Sequence, residues 1–216
     1  MWSRRAGVLW LLWLAGCVSS AQRQVHDLNQ QGVQHLMQRE YAQAQLTFTQ
    51  AAEMAPQDAD ILYHLATAAH YGGETAKAEQ AYRSCLRLQP YHAKCRHGLN
   101  VLLLQQDKGK EAAEMTDEWR AKHPTSADAQ AEHGWLLRES GDLPAAHAQL
   151  QQALQADPNN VRALVELGIL YETYQYPDRA RTLYERALIH DPYQMEAKAR
   201  LMALPKGRPL EGSPKK

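Results

Sequence analysis

Residues 59–92 read ADILYHLATAAHYGGETAKAEQAYRSCLRLQPYH, and this stretch decides the fold. Between residues 60 and 71, apolar side chains recur every three or four positions, which is the spacing of one face of a helix. A pair of glycines at 72–73 interrupts this pattern, and a second helical pattern follows over residues 76–88. Pro90 then ends the segment, because proline lacks the backbone donor that a helix interior needs. The stretch therefore predicts two helices joined by a short turn.

The same unit recurs along the chain with a period of 34 residues. Four positions of the unit keep their residue type in most copies. Proline recurs as Pro56, Pro90, Pro124, Pro158 and Pro192, and alanine recurs as Ala44, Ala78, Ala112, Ala146 and Ala180. A mostly small residue recurs as Gly32, Ala66, Asn100, Gly134 and Gly168, and a mostly large one recurs as Phe48, Tyr82, Thr116, Leu150 and Tyr184. We expect the small residues of the first helix to face the alanines of the second, so that the backbones approach closely. Because one helix pair cannot bury its apolar face alone, stacked pairs should share a core.

These columns and their period resemble the tetratricopeptide repeat. The resemblance covers residues 25–192 and implies an all-α fold, a right-handed α-solenoid of about five helix–turn–helix repeats. The repeats are expected at approximately 25–58, 59–92, 93–126, 127–160 and 161–194. A further helix over 193–204 should cap the last repeat, with Met195, Ala199, Met202 and Ala203 facing inward. The tail at 205–216 is rich in proline, glycine and basic residues, a composition that predicts disorder.

The N-terminal residues 1–16 have the features of an export signal. Two arginines precede an apolar run over residues 6–16, which is shorter than the roughly 20 residues that a membrane-spanning helix needs. The run Leu14-Ala15-Gly16-Cys17 resembles the processing box of bacterial lipoproteins, which implies a lipid on Cys17 and a lipid-attachment and linker segment at 17–24. The alternative is an ordinary signal peptide in which Cys17 is incidental.

The resemblance to bacterial lipoproteins also implies a cellular location. A valine rather than an aspartate follows Cys17, which in enteric-type bacteria implies the outer membrane. The protein is therefore expected on the periplasmic side of the bacterial cell envelope, held at the membrane by its lipid. Its 24 basic and 24 acidic residues balance, which argues against a general affinity for nucleic acid.

Cys85 and Cys95 are the two cysteines that remain, and they lie five residues on either side of Pro90. An exported protein meets oxidising conditions, so the pair could form a disulfide across the turn. Two buried thiols that fill small-residue positions are the alternative, and the sequence leaves both open.

No residue pattern of an enzyme is present. Ten histidines are scattered along the chain, and only His92, Cys95 and His97 cluster. Since a metal site needs three or four ligands in a fixed geometry, we expect neither a metal nor a cofactor. There is no glycine-rich phosphate loop, and no serine lies in the strand–turn–helix context of a hydrolase. The sequence therefore favours a non-catalytic protein.

The first helix of each repeat is expected, from the resemblance, to line a concave groove. The side chains predicted there are Val33, Tyr63, Thr67, Tyr71, His97, Val101, Trp135, Arg138, Val165 and Ile169. Tyrosine, tryptophan and arginine dominate the binding energy of many interfaces, although these residues could instead fill contacts between neighbouring repeats. The expected function is a protein–protein interaction scaffold that binds a peptide or protein segment.

Two narrower functions are alternatives. The layout of a lipid-attachment signal followed by repeats is similar to that of the pilotin lipoproteins, which assist secretin assembly in type IV pilus biogenesis. It is also similar to that of repeat-bearing lipoproteins that act as accessory factors of cell-wall enzymes. No motif in the sequence distinguishes these two roles from each other or from a general scaffold.

Overall fold

The computed structural model describes the backbone of residues 5–205 and the side chains of residues 20–205. Over this range the chain forms eleven α-helices and no strand. They are α1 (Arg5–Met37), α2 (Tyr41–Met54), α3 (Ala59–Tyr71), α4 (Thr75–Leu88), α5 (Ala93–Gln105), α6 (Gly109–Lys122), α7 (Ala127–Glu139), α8 (Leu143–Ala156), α9 (Val161–Thr173), α10 (Pro177–His190) and α11 (Met195–Ala203). The Cys17 side chain and residues 206–216 of the tail lie outside the described residues. Of the helices described, none is both long enough and apolar enough to cross a membrane.

The chain divides into two compact units, residues 1–109 and residues 110–216. In the first unit α1 packs on α2, α3 packs on α4, and α5 lies against α3 and α4. In the second unit α7 packs on α8, α9 packs on α10, and α9 also contacts α7 and α8. The pairs α1–α2, α3–α4, α7–α8 and α9–α10 thus pack as hairpins.

Each first helix of a hairpin ends in the same backbone turn. One residue adopts a left-handed conformation at every 34th position, namely Arg39, Gly73, Asp107, Gly141 and Gln175. The amide of the following residue donates to the carbonyl five positions earlier, as from Glu74 N to Ala69 O at 2.9 Å and from Asp142 N to Leu137 O at 2.9 Å. This arrangement satisfies carbonyls that the end of a helix leaves without a partner.

The starts of five helices are capped by side chains at the same period. The capping residues are Asp58, His92, Ser126, Asn160 and Gln194, which begin α3, α5, α7, α9 and α11. Each accepts a hydrogen bond from an amide of the first turn, which would otherwise lack an acceptor. Together with the left-handed turns, these caps fix where α3, α5, α7 and α9 begin and end.

The small residues of the first helices make room for large side chains rather than for alanines. A Cβ atom added to Gly32 would lie 2.5 Å from the Phe48 ring, and one on Gly168 would lie 2.4 Å from the Tyr184 ring. The tightest contact of these two glycines is therefore with a large side chain rather than with the alanine predicted from the sequence. The large side chain of the second helix lies directly over the glycine of the first, which lets the two helices pack closely around it.

The last helix, α11, buries a different face from the one expected. Ala197 is fully buried and Leu201 and Leu204 pack against the core of the second unit, whereas Met195 is exposed and Met202 is 75% exposed. Ala199 and Ala203 are also exposed. The inward face consists of Ala197, Leu201 and Leu204, because α11 packs on α10 through only one narrow side. The exposed methionines lie on the opposite side of the helix.

Candidate partner-binding site

The predicted groove residues are accessible mainly on the first unit. There α3 and α5 lie side by side, and their polar and aromatic side chains form what we call the α3–α5 wall. The wall consists of Tyr63, Thr67, His70 and Tyr71 from α3 and Lys94, His97, Val101 and Gln105 from α5. All eight are half-buried or exposed. Val33, the predicted site residue on α1, is half-buried against the cluster of Ala44, Phe48 and Ala68.

Polar and cation–π contacts connect the two helices of the wall. The ring of His70 hydrogen-bonds to Gln105 Oε1 at 2.8 Å, which joins the C-terminal ends of α3 and α5. Near the N-terminal ends, the Lys94 ammonium lies 5.8 Å from the centre of the Tyr63 ring. Both contacts hold side chains in fixed positions at the surface, so a ligand would lose less side-chain entropy on binding there.

Tyr71 is the most accessible aromatic residue of the wall. It is 65% exposed, yet its ring is stacked on that of Tyr41 at 5.8 Å and lies 5.7 Å from that of His70. The groove face predicted from the sequence did not include Tyr41 or Lys94. His70 and Gln105 follow Thr67 and Val101 by three and four positions, a spacing that predicts them on the same helix face.

Behind the wall, buried groups are held in their neutral forms. His64 stacks on Phe48 at 5.3 Å. Burial, and to a lesser degree the positive charge of Lys94, lowers the pKa of His64 from 6.5 to about 4. Burial also raises the pKa of the Tyr82 hydroxyl above its ordinary value. The layer beneath the wall is therefore uncharged at neutral pH.

In the second unit the predicted site residues are mostly core. Trp135 is 5% exposed, and Val165 and Ile169 are buried. Val165 and Ile169 belong to the hydrophobic cluster formed by α7 to α11. Trp135 lies on α7, which packs against both α8 and α9. The prediction that these three side chains are open to a partner is therefore wrong; they are covered by the chain itself.

Arg138, the fourth predicted residue of this unit, forms a buried ion-pair network. Its Nε donates to Glu166 Oε2 at 2.8 Å, and Arg162 Nη1 lies 3.4 Å from Glu166 Oε1. Burial by itself would lower the pKa of the Arg138 guanidinium, but the carboxylates of Glu166 and Glu139 raise it above its ordinary value. Arg138 thus neutralises a buried charge.

The two cysteines of the first unit form a disulfide. Cys85 and Cys95 are bonded, with their Cα atoms 6.5 Å apart, and this bond joins the end of α4 to the first turn of α5. A ring nitrogen of His92 and the two sulfur atoms all lie within 4.8 Å of one another. The cluster expected from the sequence contained His97, and the structure has Cys85 in its place.

A second, open cleft of about 530 Å³ lies on the second unit between α8 and α10. Arg179 lies above two rings at its edge, 5.5 Å from the centre of Tyr171 and 5.3 Å from that of Tyr176. The cleft is lined by α8 and α10 together with Leu167 and Tyr171 of α9, and none of its lining residues belongs to the groove predicted from the sequence.

Comparison with known proteins identifies the family. A family profile of the tetratricopeptide repeat matches residues 30–93 and 131–194, which is more than half of the chain. The chain therefore belongs to the tetratricopeptide repeat family. This fold is consistent with a role in protein–protein interaction. Comparison with the curated proteins finds no match.

Solved structures agree on the fold. The chain is similar to the crystal structure of TTC0263, a thermophilic TPR protein in Thermus thermophilus, with 23% identity, a TM-score of 0.60, and coverage of 83% of this chain and 97% of that chain. It is also similar to yeast Tom70, with 18% identity and a TM-score of 0.55 over 74% of this chain and 35% of that one. MamA from Desulfovibrio magneticus RS-1 matches at 18% identity over 79% and 97%, with a TM-score of 0.47. The family profile and the TTC0263 structure confirm the expected all-α fold of tetratricopeptide repeats.

Proposed function

We propose that this chain is a non-catalytic scaffold that binds a segment of another protein on the α3–α5 wall. The observation that carries this proposal is the 65% exposure of Tyr71, whose ring is nevertheless held in place by Tyr41 and His70. A large aromatic side chain fixed at the surface provides contact area at low entropic cost, which is typical of residues that dominate binding energy.

The chemistry of the wall favours an extended or helical peptide. Tyr63 and Tyr71 offer flat apolar surface at its two ends, and Val101 lies on the neighbouring helix. Lys94 supplies one positive charge near Tyr63. The matching segment would carry apolar or aromatic side chains together with an acidic group or a terminal carboxylate placed to meet Lys94.

The test compares two exposed tyrosines, one on the wall and one far from it in sequence. A photo-crosslinking amino acid is placed at position 71 or at position 193 in cells that express the protein, and the captured proteins are identified. We expect a specific adduct at 71 that is absent at 193 and lost when Tyr63→Ala is added. A secretin subunit or a cell-wall enzyme in that adduct would decide between the two narrower alternatives.

Purified protein gives the second measurement. With the captured partner, Tyr71→Ala should weaken binding by about 2 kcal/mol, roughly 30-fold, while Tyr193→Ala leaves it unchanged. Circular dichroism should show equal helix content in both variants. Equal loss of affinity in both variants, or identical adducts at both positions, would contradict the proposed site.

We further propose that the protein is exported and anchored to the outer membrane of the bacterial envelope through a lipid on Cys17. The support is the sequence of residues 6–17, an apolar run that ends in Leu-Ala-Gly-Cys. Each buried methylene of an acyl chain contributes about 0.8 kcal/mol, so two or three chains would hold the protein at the membrane. Metabolic labelling with an alkyne fatty acid should label the wild type, and Cys17→Ser should lose the label. A wild type that stays unlabelled would refute the anchor.

A further inference from the structure

We propose that, when its disulfide is reduced, the chain binds a thiophilic metal ion, Cu(I), through the sulfur atoms of Cys85 and Cys95 and a ring nitrogen of His92. The three ligand atoms already lie within 4.8 Å of one another. Both cysteines are fully buried and the His92 side chain is only 10% exposed. The site does not depend on the proposed partner-binding function.

The two cysteines lie on the two helices that flank one turn, and His92 lies at the end of that turn. Cys85 lies in the last turn of α4 and Cys95 in the first turn of α5, and α4 packs against α5. His92 lies between them in sequence and caps α5. A chelating site needs ligands fixed by rigid elements, and here both sulfur atoms are positioned by packed helices.

The hydrogen bonds of His92 set its tautomer. Nδ1 accepts the backbone N–H of Cys95 at 3.2 Å, so Nδ1 carries no proton. The proton is therefore on Nε2, which donates to Asp60 Oδ1 at 3.1 Å. A carboxylate that holds one nitrogen of a histidine, and so orients the lone pair of the other, is the usual outer partner of a metal-binding histidine. Here the Nδ1 lone pair is directed toward the backbone N–H of Cys95.

Metal binding would compete with the cap that His92 gives to α5. A capping hydrogen bond contributes far less free energy than the binding of a metal by thiolates and imidazole. The metal would therefore take the Nδ1 lone pair, and the Cys95 amide would lose one acceptor.

The ligand set selects the ion. The two thiolates are soft ligands that suit Cu(I), and imidazole, a borderline ligand, also binds copper. Zn(II) usually takes four ligands, and among the described side chains only these three converge. The oxygens of Asp60 are not a fourth ligand in this arrangement, because Oδ1 accepts from His92 Nε2.

Binding is coupled to the redox state of the pair. A dithiol or phosphine reductant supplies two electrons, and two protons are taken up as the sulfur–sulfur bond breaks and two thiols form. Cu(I) then replaces the two thiol protons, which are released to solvent. A disulfide oxidant that removes two electrons re-forms the sulfur–sulfur bond, and the metal leaves because neither sulfur can remain a thiolate.

The experiment uses the full-length chain, reduced with a phosphine under anaerobic conditions. Cu(I) is titrated against bicinchoninate, a coloured chelator that competes for it. We expect one Cu(I) per reduced chain and none per oxidised chain. Cys85→Ser and Cys95→Ser should each abolish binding, and Asp60→Asn should weaken it about 10- to 100-fold.

His92→Asn is the decisive variant, since asparagine retains the helix cap but loses the imidazole. It should weaken binding by more than Asp60→Asn, while His97→Asn, a half-buried histidine of the same helix, should match the wild type. Reduced wild type that leaves all Cu(I) with the chelator would overturn the proposal. Equal affinity of the His92→Asn and His97→Asn variants would overturn the role of His92, and preference for Zn(II) in direct competition would overturn the choice of metal.

Discussion

Arg138 Nε donates to a carboxylate oxygen of Glu166 at 2.8 Å, and Glu166 is 1% exposed. A residue type that usually marks an interface here neutralises a charge inside the protein. A buried carboxylate is tolerated only when cations and hydrogen bonds compensate for its lost hydration. Arg138 and Arg162 supply this compensation from α7 and α9.

Removing Arg138 should therefore reduce stability. We expect Arg138→Ala to lower the free energy of unfolding by about 3 kcal/mol, because it leaves Glu166 buried with Arg162 as its one remaining cation partner in the network. The double variant Arg138→Met/Glu166→Leu should recover much of this loss. Urea unfolding followed by circular dichroism measures both. Arg120→Ala, which breaks an exposed pair with Asp117, is the control and should change stability by about 0.5 kcal/mol or less. An equal loss in the single and double variants would show that the buried charge is not the cause.

Acid should weaken the first unit through His64. The pKa of His64 is about 4 in the folded chain and 6.5 when unperturbed, so the folded state binds this proton less readily. Stability is therefore lost as the pH falls from 6.5 toward 4, and below about 4 the loss is complete at about 3 kcal/mol. Hydrogen exchange of α3 measured across this pH range checks the size of the effect.

His64→Leu provides the matched test of this pH dependence. Leucine cannot be protonated, so the variant should lose less stability than the wild type between pH 6.5 and 4. The exposed His190→Gln serves as the control and should follow the wild type. If His64→Leu also follows the wild type, another group is responsible.

Two glycine-to-alanine substitutions, one in a left-handed turn and one at the start of a helix, should change the stability in opposite directions. Gly141 has φ near 89° and no atom within 4 Å of an added Cβ, so Gly141→Ala meets only backbone strain. We expect a loss of about 1 kcal/mol. In Gly109→Ala, at the start of α6, the added Cβ would lie 3.3 Å from Leu104 Cδ2, the flexible end of a side chain that can move aside, so this variant should be more stable by about 0.5 kcal/mol. Thermal unfolding of the two variants in parallel measures both, and a shared sign would contradict the assigned strain.

The disulfide should stabilise the chain mainly by restricting the unfolded state. The loop that Cys85 and Cys95 close is short, and loss of the disulfide should lower the free energy of unfolding by about 2–3 kcal/mol. Reduced wild type and Cys85→Ala/Cys95→Ala should show similar losses relative to the oxidised protein. Mass spectrometry should show a gain of two hydrogen atoms on reduction. An unchanged mass would mean that the bond is absent.

The helices and their period could be predicted from the sequence because proline, glycine and alanine recur every 34 residues. The left-handed turns could be predicted only in part. Gly73 and Gly141 indicate such a turn, whereas Arg39 and Asp107 at the equivalent positions do not. The backbone hydrogen bonds of the helix end hold these residues in a conformation that their side chains disfavour.

The candidate site was harder to predict than the fold. Trp135 and Ile169 occupy the same position of the repeat as Thr67 and Val101, yet the first pair is buried and the second is half-buried. A sequence pattern indicates the face of a helix on which a residue lies but not which neighbouring helix covers it. For α11 even the face was wrong, because with no second helix after it among the described residues only the side toward α10 is covered.

The contacts between consecutive hairpins also bear on how such a protein can change by duplication. Phe48 stacks on His64 of the next hairpin at 5.3 Å, whereas Tyr82, at the equivalent position, lies so close to Gly98 that an added Cβ would come within 2.4 Å. Duplicating residues 59–92 would preserve every helix length and turn but would place Tyr82 against His64 of the second copy, which lacks the space that Gly98 leaves for the tyrosine ring. These two modules are therefore not interchangeable. Their order along the chain is specified by the side chains that face each other across consecutive hairpins.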